Sequence, residues 1–387
     1  MVEWKKLVSV ANVLYGYPFE SSLFSEDSNY MPLIRIRDVK PAKASTYYSG
    51  EIREEYRIKK GDTLVGMDGE FNLGRWDDRD GLLNQRVLKI SGKNGCSIDG
   101  YLFHYMGPVF KKIEKETAGG SVKHLSAKVI NNILIPIPSL SEQSRIVSIL
   151  DTFTSSISNL KQQIEERRKQ YEYERDLLLD LEGKEGVEMK KLEECVLFIT
   201  DGDHQPPPKS SEGIPFVTIS DIEKLSHTID FSNTFFVPQE YYNSLKSDKK
   251  AKKGDVLYTV TGSFGIPVLI EDNREFCFQR HIALIRPNNT IALSRYIYHW
   301  LCSNYAKKQG EEKASGGAQK TVSLNSLRSF RFYYPPLQAQ SRIVSILDTF
   351  EQSIANLEEQ LAMREKQYEY YRNQLLTFEG EEERGKT

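Results

Sequence analysis

Apolar side chains return at steps of four and three along one stretch of the chain. They are Ile146, Leu150, Phe153, Ile157, Leu160, Ile164, Tyr171 and Leu178, with Arg167 and Glu174 filling two slots. The same stepping recurs at Ile343, Leu347, Phe350, Ile354, Leu357, Leu361, Arg364, Tyr368, Tyr371, Leu375 and Phe378. A 3.5-residue period sustained over about five heptads predicts two long helices that meet along a coiled-coil seam. Pro138 and the S-x-x-E of Ser139 to Glu142 open the first helix, and Pro335-Pro336 open the second. Gly183 and Gly380 are placed to close them as C′ glycines. Roughly 40 residues at 1.5 Å each give rods of about 60 Å. Elsewhere the period changes. IPFVTISDI, GDVLYTV and HIALIRP are short β-rich runs between Gly, Pro and Asp breakers, while YPFESSLF and DGDHQPPPK are loop-like. An α+β chain is predicted, with mixed α/β domains at 1–139 and 187–336. A helix occupies 140–186, and a second helix with a tail occupies 337–387.

The chain is written twice. SRIVSILDTF at Ser144 to Phe153 returns unchanged at Ser341 to Phe350, an offset of 197. That offset holds without a gap from Leu140 to Gly183, with 28 of 44 positions identical. Outside this segment the copies agree only at scattered points. Arg35 to Val39 faces Val217 to Ile222, and GDTLVGMDG at Gly61 faces GDVLYTVTG at Gly254. Asn84-Gln85-Arg86 faces Phe278-Gln279-Arg280, and Gly119-Gly120…Lys123 faces Gly316-Gly317…Lys320. The order is a divergent globular unit, a near-identical helix, then both again. Since each helix leads away from one globular unit, antiparallel pairing would give a monomer with pseudo-twofold symmetry.

Composition narrows the class. With 39% apolar and 27% charged residues, the chain can bury sizeable cores, and no run approaches the 18 apolar residues of a membrane span. The opening Lys5-Lys6 and LVSVANVLYG resemble an export signal. Val2 to Leu7 (VEWKKL) recurs mid-chain as Val187 to Leu192 (VEMKKL), which removes that reading. Four distant cysteines without a CxxC pair read as reduced thiols, so a cytoplasmic protein is expected. The net charge of −2 says little, but its distribution is uneven. Residues 1–139 hold 20 basic against 17 acidic groups, and residues 187–336 hold 19 against 17. The helical stretches 140–183 and 337–387 hold 6 against 9 and 6 against 10. Mildly basic domains on acidic spacers fit domains that meet a polyanion and helices that meet something else.

No HExxH, GxGxxG or GxSxG occurs, the six histidines show no metal-ligand spacing, and no Asn/Asp-Pro-Pro-Tyr/Phe tetrapeptide appears. Gly380 to Thr387 satisfies GxxxxGK[ST], but no strand precedes it and three glutamates would repel a triphosphate. Recognition chemistry is better represented. GRWDDRDG brings Arg75, Trp76 and Arg79 together, followed by Asn84, Gln85 and Arg86. Arg is bidentate toward guanine and Asn or Gln toward adenine, so these are side chains that direct readout uses. The same residues would equally fit a polar turn in which Arg and Asp pair. Gln279 and Arg280 occupy the matching place in the second copy. Gly119, Gly120 and Lys123, with Gly316, Gly317 and Lys320, suit phosphate contacts through backbone amides and Lys, or simply glycine turns before helices. His204 in DGDHQPP fits a base contact or a turn cap. Leu150, Phe153, Ile157, Leu160, Tyr171, Leu347, Phe350, Ile354, Leu357 and Tyr368 form the coil stripe. The tyrosines at 171, 173, 368, 370 and 371 supply more aromatic surface than a coil needs, and a partner would cover some of it.

Taken together, PIPSLSEQSRIVSILD…KQYEYERDLLL, PPLQAQSRIVSILD…KQYEYYRNQLL, MDGEFN…LLNQRV and DGDHQPP…GIPFVTISDI resemble the specificity subunits of type I restriction-modification systems over almost the whole chain. The resemblance implies two target-recognition domains, each reading one half of a split double-stranded DNA site, with the helices fixing the gap. It implies a non-catalytic chain without a cofactor of its own. Two modification subunits would bind S-adenosylmethionine and methylate adenine, and motor-nuclease restriction subunits would use ATP and Mg2+. The specificity chain would be one copy within that hetero-oligomer, with no membrane partner. A coiled-coil scaffold without a DNA role, and a self-sufficient DNA-modifying enzyme, are the alternatives the residues leave open.

Overall fold

Leu140–Leu179 and Leu337–Leu376 each form one uninterrupted helix of 40 residues in the computed structural model, which describes residues 2–116, 123–204, 206–317 and 319–378. Ser139 caps the first, its Oγ accepting from the Glu142 amide at 3.3 Å. The stop signal differs from expectation. The first helix ends at Leu179, and Gly183, at φ +69°, serves the turn that follows, where the Lys184 amide reaches the Leu181 carbonyl. Gly380 lies outside the described residues, as does the GxxxxGK[ST] match that begins there.

The chain folds as two compact units, and the division falls inside both long helices. One unit runs to Lys161 and takes in the residues from Gln360 onward; the other is Gln162–Glu359. Each unit therefore contains the head of one long helix and the tail of the other. In the first, Phe153 stacks on Tyr371 at 5.2 Å and Lys161 pairs with Glu365 at 3.0 Å. In the second, Arg168 pairs with Glu358, and Tyr171 meets Phe350 and Glu351. In both, advancing along one helix means retreating along the other, so the segments run antiparallel within their unit. Leu150 and Leu347 are fully buried, whereas Phe153, Ile157, Leu160, Tyr171, Phe350, Ile354, Leu357 and Tyr368 are half-buried.

The divergent domains use one plan. In the first unit, β1 (Ala11–Tyr15), β2 (Thr63–Gly66), β3 (Leu73–Arg75) and β4 (Val87–Gly92) form an antiparallel sheet in the order β1-β4-β2-β3. In the second, β5 (Val196–Asp201), β6 (Val256–Thr259), β7 (Pro267–Leu269) and β8 (Ile282–Pro287) repeat it as β5-β8-β6-β7. Helix α1 (Asp99–Glu116) packs on β3 and β4, and α2 (Ser294–Cys302) packs on β7 and β8. Val65, Leu88 and Ile90 meet Tyr101, Met106 and Phe110 in one core; Val256, Tyr258 and Ile285 meet Tyr296, Trp300 and Leu301 in the other. Ile146, Leu150 and Leu376 close the first core, and Leu179, Ile343 and Leu347 the second. The repeated VEWKKL and VEMKKL stretches supply edge strands. Glu3–Lys6 pairs with Leu134–Ile137, and Glu188–Lys191 with Arg331–Tyr334.

The helix heads are hooked to their domains by a buried glutamine. Gln143 donates to the carbonyls of Cys96 and Pro138 and accepts from the Ile98 amide, at 3.0, 3.0 and 3.1 Å. Gln340 makes the matching bonds to Ile291, Pro335 and Leu293, at 3.3, 2.9 and 2.9 Å. Both are wholly shielded from solvent, so every amide atom bonded there avoids a desolvation loss of about 1–3 kcal/mol.

Candidate nucleic-acid interface

Three chain segments converge where β2 ends. The Met67 amide donates to the Arg86 carbonyl, Leu125 to Met67, and Gly69 to Lys123, at 2.8, 2.7 and 3.0 Å. In the second unit Val260 donates to His281, Val322 to Val260, and Gly262 to Lys320, at 2.9, 2.8 and 3.0 Å. The backbone cradle is the same, and only the side chains on it differ. Gly69 and Gly262 hold φ +73° and +69°, a left-handed turn that favours glycine.

On the first cradle the exposed side chains are Gln85, Arg86 and His124, the last two gathered on Asp68. His124 Nδ1 lies 2.5 Å from one Asp68 oxygen, and Arg86 Nε 3.4 Å from the other. With Arg86 55% exposed, that ion pair is worth at most about 1 kcal/mol. A bidentate Arg–guanine contact discriminates by about 1–3 kcal/mol, so Arg86 is free to exchange partners. The second cradle carries Arg280, half-buried His281, and Thr261 against Thr321. Burial, then the nearby charges of Arg280 and His204, holds His281 below the ordinary imidazole range. His204 is 60% exposed and pairs with Asp201 at 2.9 Å. Lys249 fixes this loop by donating to the carbonyls of Asp201 and Gly202, both at 2.9 Å. A Cβ on Gly202 would sit 2.0 Å from the Phe278 carbonyl oxygen, and one on Gly16 equally close to that of Asn84, so both loops need glycine for this approach.

The structure shifts the alignment of these turns by one residue. Asn84 donates its amide to Ile34 and bridges Tyr17, whereas Gln279 donates to Val217 and bridges Asp203. Asn84, Gln85 and Arg86 thus answer to Gln279, Arg280 and His281, not to Phe278, Gln279 and Arg280. The shared QR dipeptide misleads. Aligning the strands that follow, VLKISG on IALIRP, finds the register and adds His281 to the candidates.

The other candidates in the GRWDDRDG stretch, and several beyond it, have structural contacts of their own. Trp76 is 1% exposed, packs among Ile34, Leu64 and Val87, and donates its indole N–H to Arg79 O, so its ring cannot meet a base. Arg75 lies over Phe103 and pairs with Asp151 of the first long helix at 3.0 Å. Arg79 donates to the carbonyls of Ser28 and Tyr30, pinning a loop. Asn84 is 5% exposed and turns its Oδ1 to the Gln85 amide. Gln279 is half-buried. Lys123 lies 3.6 Å from Glu114, while Gly316, Gly317 and Lys320 are exposed. Gly119 and Gly120 lie outside the described residues.

Two stretches, 1–167 and 185–363, match the type I restriction modification DNA specificity domain. The chain belongs to that family. DNA sequence recognition is the family's role. Among curated relatives, the type I restriction enzyme EcoBI specificity subunit of Escherichia coli is 29% identical over 364 residues, covering 87% of this chain and 76% of its own. The fold is similar to the crystal structure of a type I restriction-modification system S subunit from M. genitalium, with a TM-score of 0.61 at 15% identity. That match covers 98% of this chain and 96% of the other. A chain from a study of complex assembly and conformational transition in the type I restriction-modification system gives 0.56 at 20% identity, covering 97% and 96%. Among the described residues, no helix is long and apolar enough to cross a membrane.

Proposed function

We propose that this chain is the non-catalytic DNA-reading subunit of a type I restriction-modification enzyme, each domain reading one half of a bipartite double-stranded site. One observation carries the reading: the two cradles share a backbone and differ in side chains, Gln85, Arg86 and His124 against Arg280, His281 and Thr321. That is what unlike half-sites require of like domains. The domains are 1–139 and 187–336; the long helices pair as an antiparallel coiled coil, giving a pseudo-twofold repeat that sets the gap. A rod of about 60 Å limits the footprint to roughly 17 base pairs between domain centres, at about 3.4 Å per pair.

The helices also dock two copies of a modification subunit. Tyr173 and Tyr370 hold the same repeat position and are 67% and 61% exposed, a duplicated aromatic surface that suits one partner used twice. Methyl transfer with S-adenosylmethionine belongs to that partner, and ATP- and Mg2+-dependent cleavage to restriction subunits. The chain acts as a single copy in a cytoplasmic hetero-oligomer. Methylome sequencing of a host with and without this chain tests the proposal. A two-part methylated sequence that disappears with the chain supports it, and exchange of residues 187–336 should alter one half only. An unchanged methylome, or altered specificity in both halves, overturns it.

A further inference from the structure

Among the described residues, His104 and His299 are the most shielded side-chain bases of their units, each 0% exposed, and both are built into the same trio. His104 Nε2 lies 2.7 Å from Asp151 Oδ1, and its Nδ1 lies 3.0 Å from the Tyr368 hydroxyl. His299 Nε2 lies 2.8 Å from Asp348 Oδ1, and its Nδ1 lies 3.0 Å from the Tyr171 hydroxyl. A carboxylate only accepts, so Nε2 carries the proton. In each unit a domain helix thus grips the head of one long helix through Asp and the tail of the other through Tyr.

A cation reaches the same aspartate in both units, but from different places in the chain. Arg75 at the end of β3 meets Asp151 at 3.0 Å, and Arg295 within α2 meets Asp348 at 2.8 Å. Two unrelated routes to one contact mark the aspartate's charge as what the site needs. His299, Asp348 and Glu351 sit close enough to hold a metal ion. Arg295 already bonds both carboxylates, and Thr154 stands where the first unit would need the glutamate.

We propose that these trios are positioning devices for base reading. Each fixes the pose of α1 or α2 on its own pair of helix segments. Because α1 packs on β4 and α2 on β8, the strands that lead out of the turns at 84–86 and 279–281, the trio also fixes the reading turn. Base selection in one half-site therefore depends on residues that never touch DNA. This rests on the two-domain reading above.

The test uses the full chain co-expressed with its modification subunits, with genome-wide methylation and thermal unfolding as readouts. Tyr368→Phe removes one hydroxyl and leaves the seam packed. It should raise methylation of sites mismatched in the first domain's half about tenfold relative to matched sites, the value of one hydrogen bond, with the other half unchanged. Tyr171→Phe should do the reverse. Asp151→Asn keeps an acceptor for Nε2 and should loosen selectivity less than Asp151→Ala. Unchanged selectivity in both Tyr→Phe variants, equal loosening of both halves, or loss of all methylation in step with a lowered Tm overturns the positioning role. A wild-type methylome without a two-part sequence overturns the underlying reading instead.

Discussion

Arg286 holds Asp255 with both arms of its guanidinium, Nε to one carboxylate oxygen at 2.8 Å and Nη2 to the other at 2.7 Å. The Asp255 side chain is 4% exposed and also accepts from the Lys252 amide, so one carboxylate organises the turn before β6. Removing one partner of a shielded pair strands the other, so Asp255→Ala should cost about 3–5 kcal/mol in the second unit. In the first, Lys89 meets Asp62 through one contact at 2.7 Å, with 23% and 17% exposure. Asp62→Ala should cost about 1–3 kcal/mol. Denaturant midpoints of the two variants check the ranking.

Arg86→Ala and Arg280→Ala should each relax base preference at one position of one half-site by about 1–3 kcal/mol, leaving the other half as it was. Binding of the assembled enzyme to single-base variants of its site, at fixed salt, measures this. A uniform loss across all variants would make these arginines phosphate contacts.

Trp76→Ala should destabilise the first unit by about 3–5 kcal/mol through the cavity it leaves, and Trp76→Phe by less. Chemical unfolding separates this from a base-stacking role. In the latter, stability would hold and only DNA affinity would fall.

His227 is held down at about 4 by burial, with the charges of Lys307 and Arg175 adding to the effect. Its Nδ1 lies 3.3 Å from Cys302 Sγ, whose thiol burial pushes up to about 12. Because the unfolded imidazole titrates near 6.5, the unfolded chain binds the extra proton between that value and about 4. Stability is therefore complete above about pH 6.5 and falls as pH drops toward 4, by roughly 3 kcal/mol. His104, also lowered by burial, acts in the same direction. His227→Gln should flatten the pH dependence of the urea midpoint of the second unit.

The helices were legible because an apolar spacing repeats: Ile146 and Leu150, like Ile343 and Leu347, announce themselves by spacing alone, although they turn out to close the domain cores. The sheets were legible only as runs of Val, Ile and Leu between breakers, since short strands depend on partners distant in sequence. The GRWDDRDG stretch misled because composition does not say which way a side chain faces; burial of Trp76 and the reach of Arg75 to Asp151 depend on tertiary packing. Tyr101-x-x-His104 and Tyr296-x-x-His299 did carry a signal. At an offset of 195, not 197, it fell outside the ungapped repeat, yet Tyr101 and Tyr296 donate to matching carbonyls of Pro136 and Tyr333.

The division inside the long helices bears on how the chain is made. Gln162–Glu359 is continuous, so a ribosome releases everything the second unit needs in one stretch. The first unit needs Tyr368 and Leu376 to complete its core, and these emerge only after the last residue of the second unit. The domain synthesised first is therefore the one that finishes last.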